Sequence, residues 1–123
     1  MKIAITSSGK GLQSDLDPRF GRCLYFIIYD TVSKQYEAVE NSNIGGMGGV
    51  GIQTAQMMID KDVKVVITGN CGPNAFNTLQ AAGIQVVAGV SGKVEKAIEE
   101  YQKGNLKIAN QSSTKPHSGL ETR

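Results

Sequence analysis

Cys23-Leu24-Tyr25-Phe26-Ile27-Ile28-Tyr29-Asp30-Thr31-Val32-Ser33-Lys34-Gln35-Tyr36-Glu37-Ala38-Val39-Glu40 is the stretch that decides the fold. Cys23–Tyr29 is almost wholly apolar and aromatic, as a strand inside a sheet requires. Gln35–Glu40 alternates Tyr36, Ala38 and, to a lesser extent, Val39 with polar residues, the pattern of a half-exposed strand. Asp30–Ser33 between them is a turn-length connection. A parallel crossover needs a dozen or more residues, so these two strands form an antiparallel hairpin and a doubly wound sheet is disfavoured.

Upstream of the hairpin, Lys2–Ser7 is a short apolar run closed by Ser8-Gly9, a first strand. The segment from Gly9 to Gly21 is a polar loop punctuated by Gly11 and Asp17-Pro18. Downstream, a glycine-dense loop from Asn41 to Gly51 leads into a helix over Ile52–Lys61, with Ile52, Ala55, Met58 and Ile59 on one face. Val63–Thr68 reads as a strand buried on both faces. Gly69-Asn70-Cys71-Gly72 turns into a helix opened by Pro73 and stopped at Gly83. A strand at Ile84–Ala88 and a helix at Lys93–Gln102 complete the pattern. The order is β-β-β-α-β-α-β-α. Right-handed crossovers then place the first strand centrally, in a mixed five-stranded α/β sheet of order 3-2-1-4-5 with helices packed on it. This is a ribonuclease-H-like layout. Residues 1–106 read as a single domain and 107–123 as a polar, disordered tail holding the lone His117.

Composition narrows the function. The 123 residues carry a formal charge of +2, too weak and too evenly spread for a nucleic-acid footprint. No apolar run approaches the roughly 20 residues that span a bilayer, and the start of the chain reads as a strand rather than a signal peptide. The two cysteines, Cys23 and Cys71, have no framework spacing and no CxxC, which points to the cytoplasm.

Strand order gathers the loop after Ser7, the entry at Cys23, the glycine loop and the Gly69–Pro73 turn at one sheet edge. Open α/β sheets bind ligands outside the carboxyl ends of their strands. Cys71 stands at a helix N-terminus, where the helix dipole favours a thiolate, the form that ligates soft metals; it reads equally as a small apolar residue packed in the turn. Cys23 opens an apolar strand and reads as a buried packing residue. Two cysteines and one histidine fall short of the four ligands of a closed zinc or iron–sulfur site, so any cluster would arrive ready-made or be shared. Gly46-x-Gly48-x-x-Gly51 has dinucleotide spacing, but Thr68-Gly69-Asn70 stands where the acidic ribose ligand should be, and NAD binding is rejected. Consecutive amides at a helix start remain an anion nest. Nuclease chemistry is excluded as well, because the central strand Ile3-Ala4-Ile5-Thr6-Ser7 has no carboxylate for metal ions.

Asp17-Pro18-Arg19-Phe20-Gly21-Arg22-Cys23 with Tyr25-Phe26 resembles the signature of the dinitrogenase iron–molybdenum cofactor biosynthesis family. Gly49-Val50-Gly51-Ile52 with Ala55-Gln56 is similar to that family's second block. Ile67-Thr68-Gly69-Asn70-Cys71-Gly72-Pro73-Asn74-Ala75-Phe76 is similar to its third. The resemblance runs from Met1 to about Leu106. It implies a ribonuclease-H-like domain without enzymatic activity that binds or carries an iron- or molybdenum-type cluster or its precursor. Carried over, the ligand-binding positions are Arg19, Phe20, Gly21, Arg22, Gly48, Gly49, Gly51, Asn70, Gly72 and Asn74, with Cys71 and Cys23 as metal ligands. The loops contain no histidine, which some cofactor carriers use there. The alternative is a small-anion or nucleotide-binding regulatory module using the same loops without thiol ligation. Expected partners are the cluster or anion and proteins that donate or accept it, with no nucleic acid and no membrane, in a monomer or homodimer.

Overall fold

The computed structural model describes residues 1–42 and 50–112. Its elements are β1 (Lys2–Ser7), β2 (Tyr25–Asp30), β3 (Tyr36–Glu40), α1 (Val50–Asp60), β4 (Val63–Ile67), α2 (Pro73–Ala81), β5 (Gln85–Val87) and α3 (Val94–Gln102). They form one five-stranded sheet of order β3-β2-β1-β4-β5, the arrangement expected from the sequence. β1 pairs antiparallel with β2 and parallel with β4; β2 pairs antiparallel with β3, and β4 parallel with β5.

The hairpin closes for a local reason. The Asp30 carboxylate accepts hydrogen bonds from the Val32 and Ser33 amides at 2.8 and 3.2 Å, and Lys34 takes a left-handed conformation (φ 67°) that returns the chain to β3. The second strand is largely exposed, as its alternation implied.

Side-chain alternation sorts the core into two layers. Ala4, Phe26, Ile28 and Val66 face α1 and α2, where they meet Ala55, Met58, Phe76 and Leu79. Ile3, Ile5, Ile27 and Val65 face α3 and its Val94, Ala97 and Ile98. Val63 and Val65 lie on opposite faces although they are two residues apart. A bulge explains this: Lys2 is opposite Val63 and Ile3 opposite Val65, so Lys64 is the extra residue. Beyond α3 the irregular chain keeps contact with the sheet. Leu106 packs against the α3 layer, Ala109 against the opposite one, and the Ala109 amide donates to Val86 O at 2.7 Å along the outer edge of β5. Among the described residues, no helix is long and apolar enough to cross a membrane.

Candidate functional site

The β1–β2 connection does not simply loop out. Leu16 forms a bridge with Ser7, and the Asp17 amide donates to Thr6 O at 3.0 Å, so the loop folds back beside the end of β1. Pro18–Phe20 then runs parallel to the segment leaving β4. Asn70 N–H donates to Pro18 O at 2.6 Å, and Phe20 N–H donates to Asn70 O at 3.2 Å. The approach is so close that a Cβ at Gly69 would lie 2.7 Å from Pro18 Cα; only hydrogen fits there.

Buried polar groups lock this junction. The Thr6 hydroxyl donates to the Asp17 carbonyl and lies 3.0 Å from Thr68 Oγ1. The Asp17 carboxylate, almost buried, accepts from the Arg19 amide at 2.9 Å and from Arg19 Nε at 3.4 Å. That contact orients a guanidinium that is otherwise exposed. Further along, Asn41 Nδ2 donates to Gly21 O at 3.1 Å and Cys23 O at 2.9 Å, tying the end of β3 to the loop that carries Arg22. The Phe20 ring is buried edge-on against Phe26, with centroids 5.6 Å apart.

These contacts leave a cleft of about 380 Å³ lined by Arg19, Phe20, Gly21, Arg22, Val50, Gly51, Asn70 and Gly72. It lies at the sheet edge where strand order had placed it. Of the ligand positions expected from the sequence, Asn74 is exposed in the first turn of α2 and is not among the lining residues, and Gly48 and Gly49 lie outside the described residues. Val50, quoted in the second motif block, lines the cleft without being one of the expected ligand positions. Thr6, Asp17, Asn41 and Thr68, which brace its walls, are not among those positions either.

The electrostatics favour an anion. Two arginines line the cleft, and α1 and α2 both begin beside it with no acidic residue in their first turns. The N-cap of α2 is Gly72, which offers no side chain to the first-turn amides, so the partial positive charge of that helix end is not offset locally.

Both cysteines are buried. Cys71 precedes the α2 cap but is 1% exposed, and burial pushes its thiol up to about 12. Desolvation favours the thiol over the thiolate, and of the two readings of Cys71 the structure favours the packed one. Cys23, fully buried as its apolar setting suggested, is also pushed up to about 12, by burial first and the neighbouring Asp17 charge second. Its Sγ lies 3.5 Å from Phe20 O, and both cysteines share the core layer that contains Phe20. Among the described residues no group of three or more His, Cys, Asp or Glu side chains is placed to hold a metal ion. His117 lies outside the described residues.

Comparison with known proteins agrees with this architecture. The apo form of the orange protein from Desulfovibrio gigas superposes with a TM-score of 0.90 at 35% identity, covering 92% of this chain and 96% of that one. A NifB-like protein from Thermotoga gives a TM-score of 0.81 at 40% identity, over 94% of this chain and 98% of its own. An uncharacterised protein of Methanocaldococcus jannaschii is 31% identical over 109 residues, which is 86% of this chain and 89% of that protein. The family model described as dinitrogenase iron-molybdenum cofactor matches residues 1–104. With the three motif blocks meeting around one cleft, the chain belongs to the dinitrogenase iron-molybdenum cofactor family.

Proposed function

We propose that the cleft binds an anionic iron- or molybdenum-containing cluster, or its precursor, as cargo, and that the protein carries this group without catalysing a reaction. The observation that carries the reading is the convergence of Arg19, Arg22 and the uncapped start of α2 on one 380 Å³ cleft. Guanidinium groups and backbone amides hydrogen-bond the terminal sulfides or oxides of such a group. Membership of a family described by this cofactor and similarity to a protein solved in an apo form support the same assignment. Cys71 and Cys23 act as ligands only after the core around them opens, because both thiols are buried, which raises their pKa to about 12.

That burial favours a second reading in one particular: the arginines and amides hold a small anion or nucleotide with no thiol ligation. In either case residues 1–106 act as one cytoplasmic domain, monomeric or paired through the open edge of β3, exchanging cargo with donor or acceptor proteins. Residues 107–123 are polar in sequence, and Ala109 among them donates to the outer edge of β5.

Anaerobic reconstitution with iron, sulfide and molybdate, followed by gel filtration and metal analysis, tests the proposal. Wild type is expected to retain metal. An Arg19→Gln/Arg22→Gln double variant is expected to lose roughly tenfold or more in retention, since each charge-assisted bond contributes about 1.5–3 kcal/mol. Equal retention by Cys71→Ser and wild type selects binding without that thiol. No retention by wild type overturns the carrier reading.

A further inference from the structure

β3 is an edge strand, and the hydrogen-bond ladder tells which of its backbone groups face outward. The Asp30 amide donates to Gln35 O and the Asn41 amide to Leu24 O, both at 2.9 Å, so Gln35 and Asn41 belong to hydrogen-bonded pairs. Bonded and non-bonded pairs alternate along an antiparallel ladder. Glu37 and Val39 therefore also turn their backbone groups to β2, whereas Tyr36, Ala38 and Glu40 turn theirs outward. Among the described residues nothing pairs with that outer side. The opposite edge of the sheet differs, for there Ala109 donates to Val86 O at 2.7 Å. β3 also lacks the usual guards of an open edge. Tyr36-Glu37-Ala38-Val39-Glu40 contains no proline and no lysine, and its register with β2 runs without a bulge.

The charges of β3 discriminate among the ways a second copy could join it. An antiparallel copy must set outward residues against outward residues, so the available registers differ in steps of two residues. Tyr36 against Ala38 brings Glu37 opposite Glu37 of the copy, and Glu40 against Glu40 is no better; like charges directly opposite are destabilising. Ala38 against Glu40 leaves Tyr36 with no partner in the copy's β3. With Ala38 against Ala38, Tyr36 faces Glu40 and Glu37 faces Val39. No carboxylate is then directly opposite another, and every outward group of β3 is paired.

We propose that the protein is a homodimer in which the β3 strands of two copies pair antiparallel, centred on Ala38. The two-fold axis reverses every strand, so the two clefts open at opposite edges of one continuous sheet and neither is blocked. The carrier reading admits a single or a paired chain, and this pair names the partner without depending on the cargo.

Sedimentation equilibrium of the full chain from about 10 μM to about 1 mM covers the range suited to so short an interface. Wild type is expected to shift from one chain mass towards two. Ala38→Pro keeps the ladder with β2, which does not use the Ala38 amide, and is expected to stay folded by circular dichroism. It removes both central bonds of the pair and is expected to dimerise roughly tenfold less tightly or weaker still. Crosslinking reads the register. In the pair the two copies of residue 38 lie about 5.5 Å apart, within disulfide reach, and the two copies of residue 36 roughly 14 Å apart. Under mild oxidation Ala38→Cys is expected to form a linked dimer roughly tenfold faster than Tyr36→Cys or faster still, while Cys23 and Cys71 stay out of reach in the core. A wild type that remains a single chain throughout overturns the dimer, and so does a folded Ala38→Pro that pairs as tightly as wild type. Equal crosslinking of the two cysteine variants overturns the register. If Ala38→Pro unfolds, the crosslinking comparison decides in its place. Loss of metal retention in anaerobic reconstitution would remove the carrier reading and leave the pair standing.

Discussion

Replacing Gly69 with alanine tests the claim that the two site loops are welded together by backbone contact. The new Cβ would lie 2.7 Å from Pro18 Cα, 2.9 Å from Pro18 O and 3.0 Å from Pro18 Cβ. Carbon atoms in contact rest at about 3.5 Å or more, so one loop must retreat by about 0.8 Å. The obstacle is backbone and a proline ring, which cannot rotate away. Overpacking of this kind costs about 1–3 kcal/mol. Retreat also loosens the bonds from Asn70 N–H to Pro18 O and from Phe20 N–H to Asn70 O, at roughly 1 kcal/mol each. Alanine restricts the unfolded chain and returns about 0.4–1 kcal/mol. The net expectation is a loss of about 3 kcal/mol, or about 12 °C in Tm for a domain of this size. Urea unfolding followed by far-ultraviolet circular dichroism measures it. A Gly69→Ala protein within about 0.5 kcal/mol of wild type at unchanged m-value would refute the close-approach argument.

The buried thiols make two expectations. Iodoacetamide at pH 8 should leave Cys23 and Cys71 unmodified in the native protein and label both in urea; rapid native labelling of Cys71 would show its environment to be misread. Both thiols are raised from an ordinary value of 9.0 to about 12, so their contribution to stability is fully present below pH 9. Above it the unfolded chain ionises first, and stability falls by about 1.4 kcal/mol per pH unit for each thiol. A Cys71→Ala variant should lose one thiol's share of that slope between pH 9.5 and 10.5. Asn41→Ala strands the Gly21 and Cys23 carbonyls and should cost about 2 kcal/mol, with little change in helix content by circular dichroism; a cost below about 0.5 kcal/mol would mean that the clamp is dispensable.

The strand order was legible in the sequence because one short connection, Asp30–Ser33, excludes a crossover and the remaining handedness rules leave few choices. β1 falls where its apolar run ends at Ser7. The start of β2 moves to Tyr25 because Asn41 holds the Cys23 carbonyl in the preceding loop. The cleft's location followed from topology, and its arginines from the motif blocks. Its bracing did not. Thr6, Thr68 and Asp17 meet across distant chain segments, and nothing local marks them as partners. The two readings of Cys71 could not be separated for a related reason. Its place before a helix is visible in one dimension, whereas the direction of its side chain into the core depends on how α2 packs.

The bridge between Arg19 and Asn70 joins residues 51 positions apart in the chain. Such a contact closes only after β4 has taken its place beside β1, so the binding cleft has no counterpart in a nascent or partly folded chain. During synthesis the hairpin can form as soon as Glu40 has emerged, but the opposing wall does not exist until Asn70 follows. Non-local closures of this kind come late in folding. The result is a built-in order of events: the chain commits to its native topology before the cleft exists, and an incompletely folded copy has no such cleft to offer.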